Sequence, residues 1–428
     1  MATAAAKEEA GVLATLRQTP LAARYLLGGV IINQTGAFVQ TFLVLYLAHR
    51  GLPVERAGTA IAVYGFGAVF GLMMGGELTH RLGGRVTIAA TMATSAVLVL
   101  AVPWLSDPSR FGYLLVVVAA AGASTQAYRP AAATMLSDLM PAEHRVMGFS
   151  MLLIALNIGA TLGPALAALL ILINWDLLYY TNGVTALLYA LLALALLPAD
   201  RPAGGTARQP SDASSRGREG GYRVLLRDSR FLVYLASMLL SAVIFVQFTT
   251  TLPLKLADDG HPPALYSATL MTSSGILLLC QLKITSYVRR WVAAVAGGVG
   301  TTGMALGLAS YGLSTAPAAA IASTVLFVSG IMISAPTMWA HPAKAPAEVK
   351  SRYIGASQAI FGLGLAIGPV IGVLIWSQFH NGVWLFCGVV GLIAAGCAVA
   401  GLQEPHPARE DASSAPVVGA PDSQESPA

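Results

Sequence analysis

Charge is what this sequence has least of: Asp, Glu, Lys and Arg make up 11% of its 428 residues. A soluble domain carries about 25% charged residues, because water must solvate its surface. With 56% apolar residues and a mean hydropathy of +0.68, this chain cannot coat itself with solvated groups. Most of its surface must face lipid. Cysteine is nearly absent as well. Cys280, Cys387 and Cys397 all lie in apolar runs, which excludes a disulfide framework or a thiolate metal site and leaves core-filling thiols. No Gly-Lys-Ser/Thr occurs, and Gly65-Phe66-Gly67 with Gly71 follows no strand, so there is no phosphate loop for ATP-driven work. Lys7, Glu8, Glu9 and Arg17 interrupt the first 23 residues, which are therefore not read as a cleavable signal peptide. No Ser/His/Asp set or metal cluster stands on a soluble segment. An enzyme is excluded, and neither metal nor cofactor is expected. The net charge of +5 is not clustered with aromatics, which points to a membrane rather than to nucleic acid.

Long apolar runs are what the chain does have. Twelve segments approach the ~20 residues needed to cross a bilayer. They lie near 24–48, 57–79, 86–105, 111–137, 147–173 and 177–197, and then near 231–254, 264–286, 292–313, 318–340, 353–376 and 382–401. This pattern predicts an all-α membrane protein. Residues 198–230 are rich in Pro, Gly and Ser and read as a cytoplasmic linker. It separates a six-helix bundle over 24–197 from a second over 231–401. Residues 1–23 form a cytoplasmic N-terminal segment, and 402–428 a polar tail expected to be disordered. Placing both termini in the cytoplasm puts 19 Lys and Arg inside against four outside, the asymmetry of a multi-pass protein in the plasma (inner) membrane.

The two halves repeat at an offset of 205 residues. Pro141-Ala142-Glu143 precedes Gly159, Gly163 and Pro164. Pro346-Ala347-Glu348 precedes Gly364, Gly368 and Pro369 in the same register. Parallel six-helix repeats around a midplane cavity are a transporter architecture.

Three motifs then carry a resemblance. Gly76-Glu77-Leu78-Thr79-His80-Arg81-Leu82-Gly83-Gly84-Arg85 resembles the loop motif G-x-L-a-D-r-x-G-r-r of the major facilitator superfamily. Gly159-x-x-x-Gly163-Pro164-x-x-Ala167-Ala168 resembles the helix-five signature of that superfamily's antiporters. Tyr128-Arg129-Pro130-Ala131 through Asp138, Pro141, Glu143 and Arg145 is similar to the fourth-span region of its multidrug exporters. The resemblance covers about residues 20–400. It implies twelve helices as two six-helix repeats, a drug:proton antiporter type of transport, and a central cavity lined by the polar residues of the first, fourth, fifth, seventh and eleventh spans. Two departures stand out. His80 occupies the place of the family's loop Asp, with Gly84 at a basic position, and Ala119 lies near the place of an earlier span-four arginine.

The motif residues have a physical reading of their own. Gly83 and Gly84 suit a tight turn that needs φ > 0. Arg81 and Arg85 lie where helix C-termini and anionic headgroups favour cations. Asp138 ends span four on the same side, so a contact with Arg81 or Arg85 would latch the cytoplasmic face, with Arg145 nearby. Glu77, one turn before His80, can stand in for the missing carboxylate. Alternatively, these charges only mark topology. Gly159, Gly163 and Pro164 fit close packing and a bend. All twenty Asp and Glu lie in loops, tails or span ends, so no mid-membrane carboxylate can exchange a proton for a cation. Arg129 is the exception among the charges: at that depth it marks a functional cavity, or else it hydrogen-bonds carbonyls freed by Pro130. Lys283 is near a span end and can snorkel. The expected cavity set is Asn33, Gln34, Gln40, Gln126, Arg129, Asn157, Gln247 and Gln358. Export of an amphiphilic small molecule such as an antibiotic or secondary metabolite, in exchange for protons, is what the resemblance implies, with a monomer expected. An importer or uniporter of an anionic metabolite is the rival that Arg129 favours. A non-transporting receptor or scaffold is the rival from another class.

Overall fold

In the computed structural model, residues 19–199 and 223–403 are described. Most of the expected N-terminal segment, linker and tail lies outside them. The first half comprises α1a (Leu21–Thr35), α1b (Val39–His49), α2 (Val54–Leu82), α3 (Gly84–Leu105), α4 (Phe111–Leu139), α5 (Arg145–Ile173) and α6 (Leu177–Leu196). The second half opens with a short helix at Arg223–Arg227. It continues through α7a (Ser229–Phe245), α7b (Gln247–Thr250), α7c (Leu252–Asp258), α8 (Pro263–Val288), α9 (Ala293–Ser310), α10 (Pro317–Ala340), α11 (Lys350–Phe379) and α12 (Gly382–Leu402). Among the described residues eleven helical stretches are long and apolar enough to cross a bilayer, and the two pieces of α1 supply the twelfth crossing.

Two expectations need correction. The segments read as continuous at 24–48 and 231–254 are broken, at Gly36–Phe38 and around Val246 and Thr251. Apolar runs carry no signal for such breaks. They arise where another helix crosses: α5 brings Gly159 against Gln34, and α11 brings Gly368 against Val246 and Val243. The 205-residue repeat therefore acts in space. The same Gly-x-x-x-Gly-Pro face presses on α1 in one half and on α7 in the other. Turn geometry gives the second correction. Gly83 takes φ +86°, the left-handed region, and caps α2. Gly84 does not share that conformation; it starts α3 and is small because Met135 lies against it.

Close helix packing rests on glycines four residues apart. Gly67, Gly71 and Gly75 of α2 lie on the backbone carbonyls of Ala119, Ala123 and Ala127 of α4. Lipid provides no hydrophobic drive to associate helices, so backbone-close van der Waals contact must do so. The halves meet where α2 packs on α11, α5 on α8 and α10, and α4 on α11.

Gly71→Ala, which places a methyl group on the Ala123 carbonyl, is expected to destabilise the protein by about 1–3 kcal/mol. Gly275→Ala meets open space and should be neutral or slightly stabilising. Thermal unfolding of the two variants in detergent checks the contrast.

Candidate functional site

The residues of the loop motif converge on the second half. Glu77, near the end of α2, accepts from Arg81 Nε on one oxygen (2.7 Å) and from Arg352 Nε on the other (2.7 Å), with Arg352 Nη2 at 3.1 Å. Arg352 lies at the start of α11, so its fork clamps one half to the other. Bidentate guanidinium–carboxylate pairs are the geometrically specific kind. Beside them Gly76 faces Ser351 and Gly355: a Cβ there would stand 2.8 Å from the Ser351 carbonyl oxygen. The glycine that opens the motif is thus needed for backbone approach between the halves. His80 is half-buried within electrostatic reach of Glu77, Arg81 and Arg352.

The expected partner of Asp138 is corrected. Its ion pair is with Lys350 of α11, not with Arg81 or Arg85. Arg81 turns back along its own helix to Glu77, while Arg85 donates to the Leu194 carbonyl at the end of α6. Each thus has an acceptor on its own half, a helical turn back for Arg81 and at the end of α6 for Arg85. Arg145 likewise donates to the Ser137 carbonyl (3.2 Å), sealing the end of α4 rather than bridging the halves. Sequence reasoning missed Lys350 and Arg352. The repeat held a signal for the first: Lys350 follows Pro346-Ala347-Glu348 as Arg145 follows Pro141-Ala142-Glu143, at the same offset of 205.

Two further links join the start of α5 and its N-cap to the end of α8 and its C-cap. Arg289 Nη1 lies 3.2 Å from His144 Nδ1, and the hydroxyls of Ser150 and Thr285 share a 2.7 Å hydrogen bond. Through described residues, the side-chain links between the halves are these four pairs, Glu77–Arg352, Asp138–Lys350, His144–Arg289 and Ser150–Thr285. All sit at the helix ends beside the loop motif. At the opposite end Arg50 pairs with Asp176 at 2.7 Å, inside the first half. Among the described residues, the side-chain links between the halves thus gather at the loop-motif end.

Two cavities lie deeper. The larger, about 120 Å³, is lined from the first half alone by Asn33, Gln34, Thr41, Tyr64, Thr125, Gln126, Tyr128 and Asn182 with Phe38 and Phe42, where α1 is broken and Gly159, Gly163 and Pro164 of α5 pass. It carries amides, hydroxyls and aromatic rings but no charge. The smaller, about 30 Å³, lies between the halves, with Arg129, Tyr128, Phe149 and Leu152 on one side and Trp339 and Gln358 on the other. The structure thus brings Asn33, Gln34 and Gln126 together, and Arg129 with Gln358. Gln40's side chain lies outside the described residues. Two expected cavity residues are corrected. Gln247 is fully buried and donates to the carbonyls of Val243 and Gly368, both 2.8 Å, tying broken α7 to α11. Asn157 turns its amide onto the Leu153 carbonyl of its own helix, at 2.8 Å, and lines neither cavity. In each, a backbone carbonyl satisfies the amide that the sequence alone left free to face a ligand. Lys283 is exposed on α8, as snorkelling requires. Tyr64, Tyr128, Thr125 and Asn182 were not anticipated. Their residue types are common in packed helices, and only the α1 break turns them toward one space.

Comparison with known proteins places this geometry. Residues 26–355 match the sequence profile described as Major Facilitator Superfamily. The chain is 23% identical over 394 residues to the MFS-type transporter YqjV of Bacillus subtilis, spanning 88% of this chain and 92% of that one. It is 26% identical to a Na(+), Li(+), K(+)/H(+) antiporter of Planococcus maritimus, over 62% of this chain and 67% of the relative. It is also 26% identical to the multidrug resistance protein MdtH of Escherichia coli, over 73% of each. Among solved structures, a double-tryptophan mutant of XylE superposes with a TM-score of 0.71 at 17% identity, covering 90% of this chain and 95% of that one.

The closed end predicts its own cross-link. Cysteines at Ser150 and Thr285 are expected to join under mild oxidation in the otherwise native protein. In a melting-temperature double-mutant cycle, Glu77→Gln and Arg352→Gln should couple by on the order of 1 kcal/mol. Additive effects would mean that the clamp does not hold the halves together.

Proposed function

The chain belongs to the Major Facilitator Superfamily, and on that premise we propose that it exports an amphiphilic small molecule by alternating access, with protons moving in exchange. One observation carries the reading. The links between the halves gather at the loop-motif end, whereas the polar cavity lies deeper along the helices, at the α1 break itself. That is the form expected of one end state of a carrier: one side held shut by contacts that a rocking of the halves would break, and a binding space toward the other side. The Lys and Arg asymmetry supports a cytoplasmic loop-motif end and cytoplasmic termini. The cavity then faces outward.

The lining suits a ligand with an apolar body and a few hydrogen-bonding groups, since Phe38, Phe42 and Tyr64 offer surface and the amides offer weak, replaceable bonds. The multidrug resistance relative supports export of a drug-like molecule, and the cation/proton antiporter relative supports exchange for protons. With every carboxylate at a span end or in a loop, the proton is best taken up at the closed end. There Glu77 and Asp138 carry the charged pairs between the halves, with Arg352 and Lys350, and these are contacts that opening must break. A second reading, import or uniport of an anionic metabolite, is favoured by Arg129, which lacks a carboxylate partner among the described residues. The neutral character of the larger cavity favours export of a weakly polar amphiphile. The protein is expected to lie in the plasma membrane.

Asp138→Asn is expected to insert normally and to slow transport. Susceptibility of an exporter-deficient host to a panel of amphiphilic antibiotics, followed by proteoliposome flux under a proton gradient, checks this. Normal flux in Asp138→Asn would remove the gate from the mechanism. A cysteine at Ser214 should label from the cytoplasm and one at Gln378 from outside, and same-side labelling would overturn the topology.

A further inference from the structure

Arg129 is the one charged residue lining either cavity. It stands nine residues before Asp138 on α4, about 13 Å from the charged end by helical rise. Its guanidinium makes no hydrogen bond or ion pair among the described residues, and its Nε is buried without a partner. The carbonyls that Pro130 frees do not take it up. Two other groups in the same small cavity are unsatisfied. Gln358, 5% exposed on α11, has a buried Oε1 without a partner, and the hydroxyl of Tyr128, 1% exposed, has none either. Phe149, Leu152 and Trp339 wall them off.

An unpaired guanidinium at this depth is expensive unless something compensates its charge. The nearby carboxylates are engaged: Glu77 by Arg81 and Arg352, and Asp138 by Lys350. We infer that Arg129, Tyr128 and Gln358 form a binding site for a small monovalent anion, built jointly by the two halves. The donor set fits. The guanidinium and the phenol donate, and the Gln358 amide donates once its interchangeable ends are turned. A cation finds no carboxylate there. The size also fits: about 30 Å³ admits a water or two, hence a halide or a carboxylate no larger than acetate, and excludes gluconate.

This deepens the transport reading above and rests on it for its consequence. Gln358 and Trp339 come from the second half, so the site is complete only while the loop-motif end is closed. An anion that binds this state better than the open one shifts the equilibrium toward closure. The site thereby gives an anionic ligand control over which face is open.

The test is thermal unfolding of the full-length protein in detergent, in chloride, acetate or gluconate at equal ionic strength. Chloride is expected to raise the melting temperature above that in gluconate by a few degrees, as ligands of the native state do. The difference should vanish in Arg129→Gln and shrink in Gln358→Leu. The second variant keeps the test open should the first not fold. Stabilisation by acetate but not chloride, with the same dependence on Arg129 or Gln358, supports the same site with a carboxylate as its natural occupant. Equal melting in all three salts, or an anion effect that both variants retain, overturns the proposal. Unfolding reads no flux, so failure of the export reading would leave this result standing, and the reverse.

Discussion

Hydrocarbon gives a peptide backbone nothing to hydrogen-bond, and the rest of this structure depends on that constraint. It makes every membrane crossing a helix and confines irregular backbone to places where protein or a water-filled space takes over. The breaks in α1 and α7 follow this rule. Each is covered by the glycine face of a partner helix, α5 or α11, and the first also opens onto the larger cavity. The same constraint explains the glycine stripe of α2 on α4. Where apolar burial brings no gain, helices associate through backbone contact, and only glycine permits it.

Electrostatics works at the ends instead of the middle. Each charged link between the halves lies near the loop motif, where water screens part of the attraction. The Arg352 and Glu77 side chains are only 14% and 23% exposed, so the screening is partial. A small set of discrete polar pairs is nonetheless an interface that can be broken and remade. The repeat is also asymmetric in an informative way. Arg145 and Lys350 occupy equivalent positions, yet Lys350 finds Asp138 across the interface while the position equivalent to Asp138 is Ala343. Arg145 therefore caps its own half. The repeat thus makes this ion pair across the halves on one side only.

The cavity was partly legible. Asn33, Gln34, Gln126, Arg129 and Gln358 were identifiable because a polar side chain within an apolar run must have a reason to be there. Gln247 and Asn157 meet the same criterion and fail, because that reason is a carbonyl: the Gly368 carbonyl exposed beside broken α7, or the Leu153 carbonyl one turn back. Nothing in a one-dimensional pattern separates an amide facing a ligand from an amide facing a kinked helix. Glu77 as a stand-in for the absent loop carboxylate was readable from its place one turn before His80, at i, i+3. Its stronger partner, Arg352, lies 275 residues away.

By itself the sequence determined the solvent, the number of crossings, the twofold repeat of six helices and the end of the bundle at which charge collects. These depend on composition and period, which act locally. The tertiary structure alone decided where helices break, which carboxylate meets which cation and which amides remain unsatisfied. Those outcomes depend on the crossing of helices hundreds of residues apart, and a displacement of one helical turn between the halves would re-pair every group at the interface.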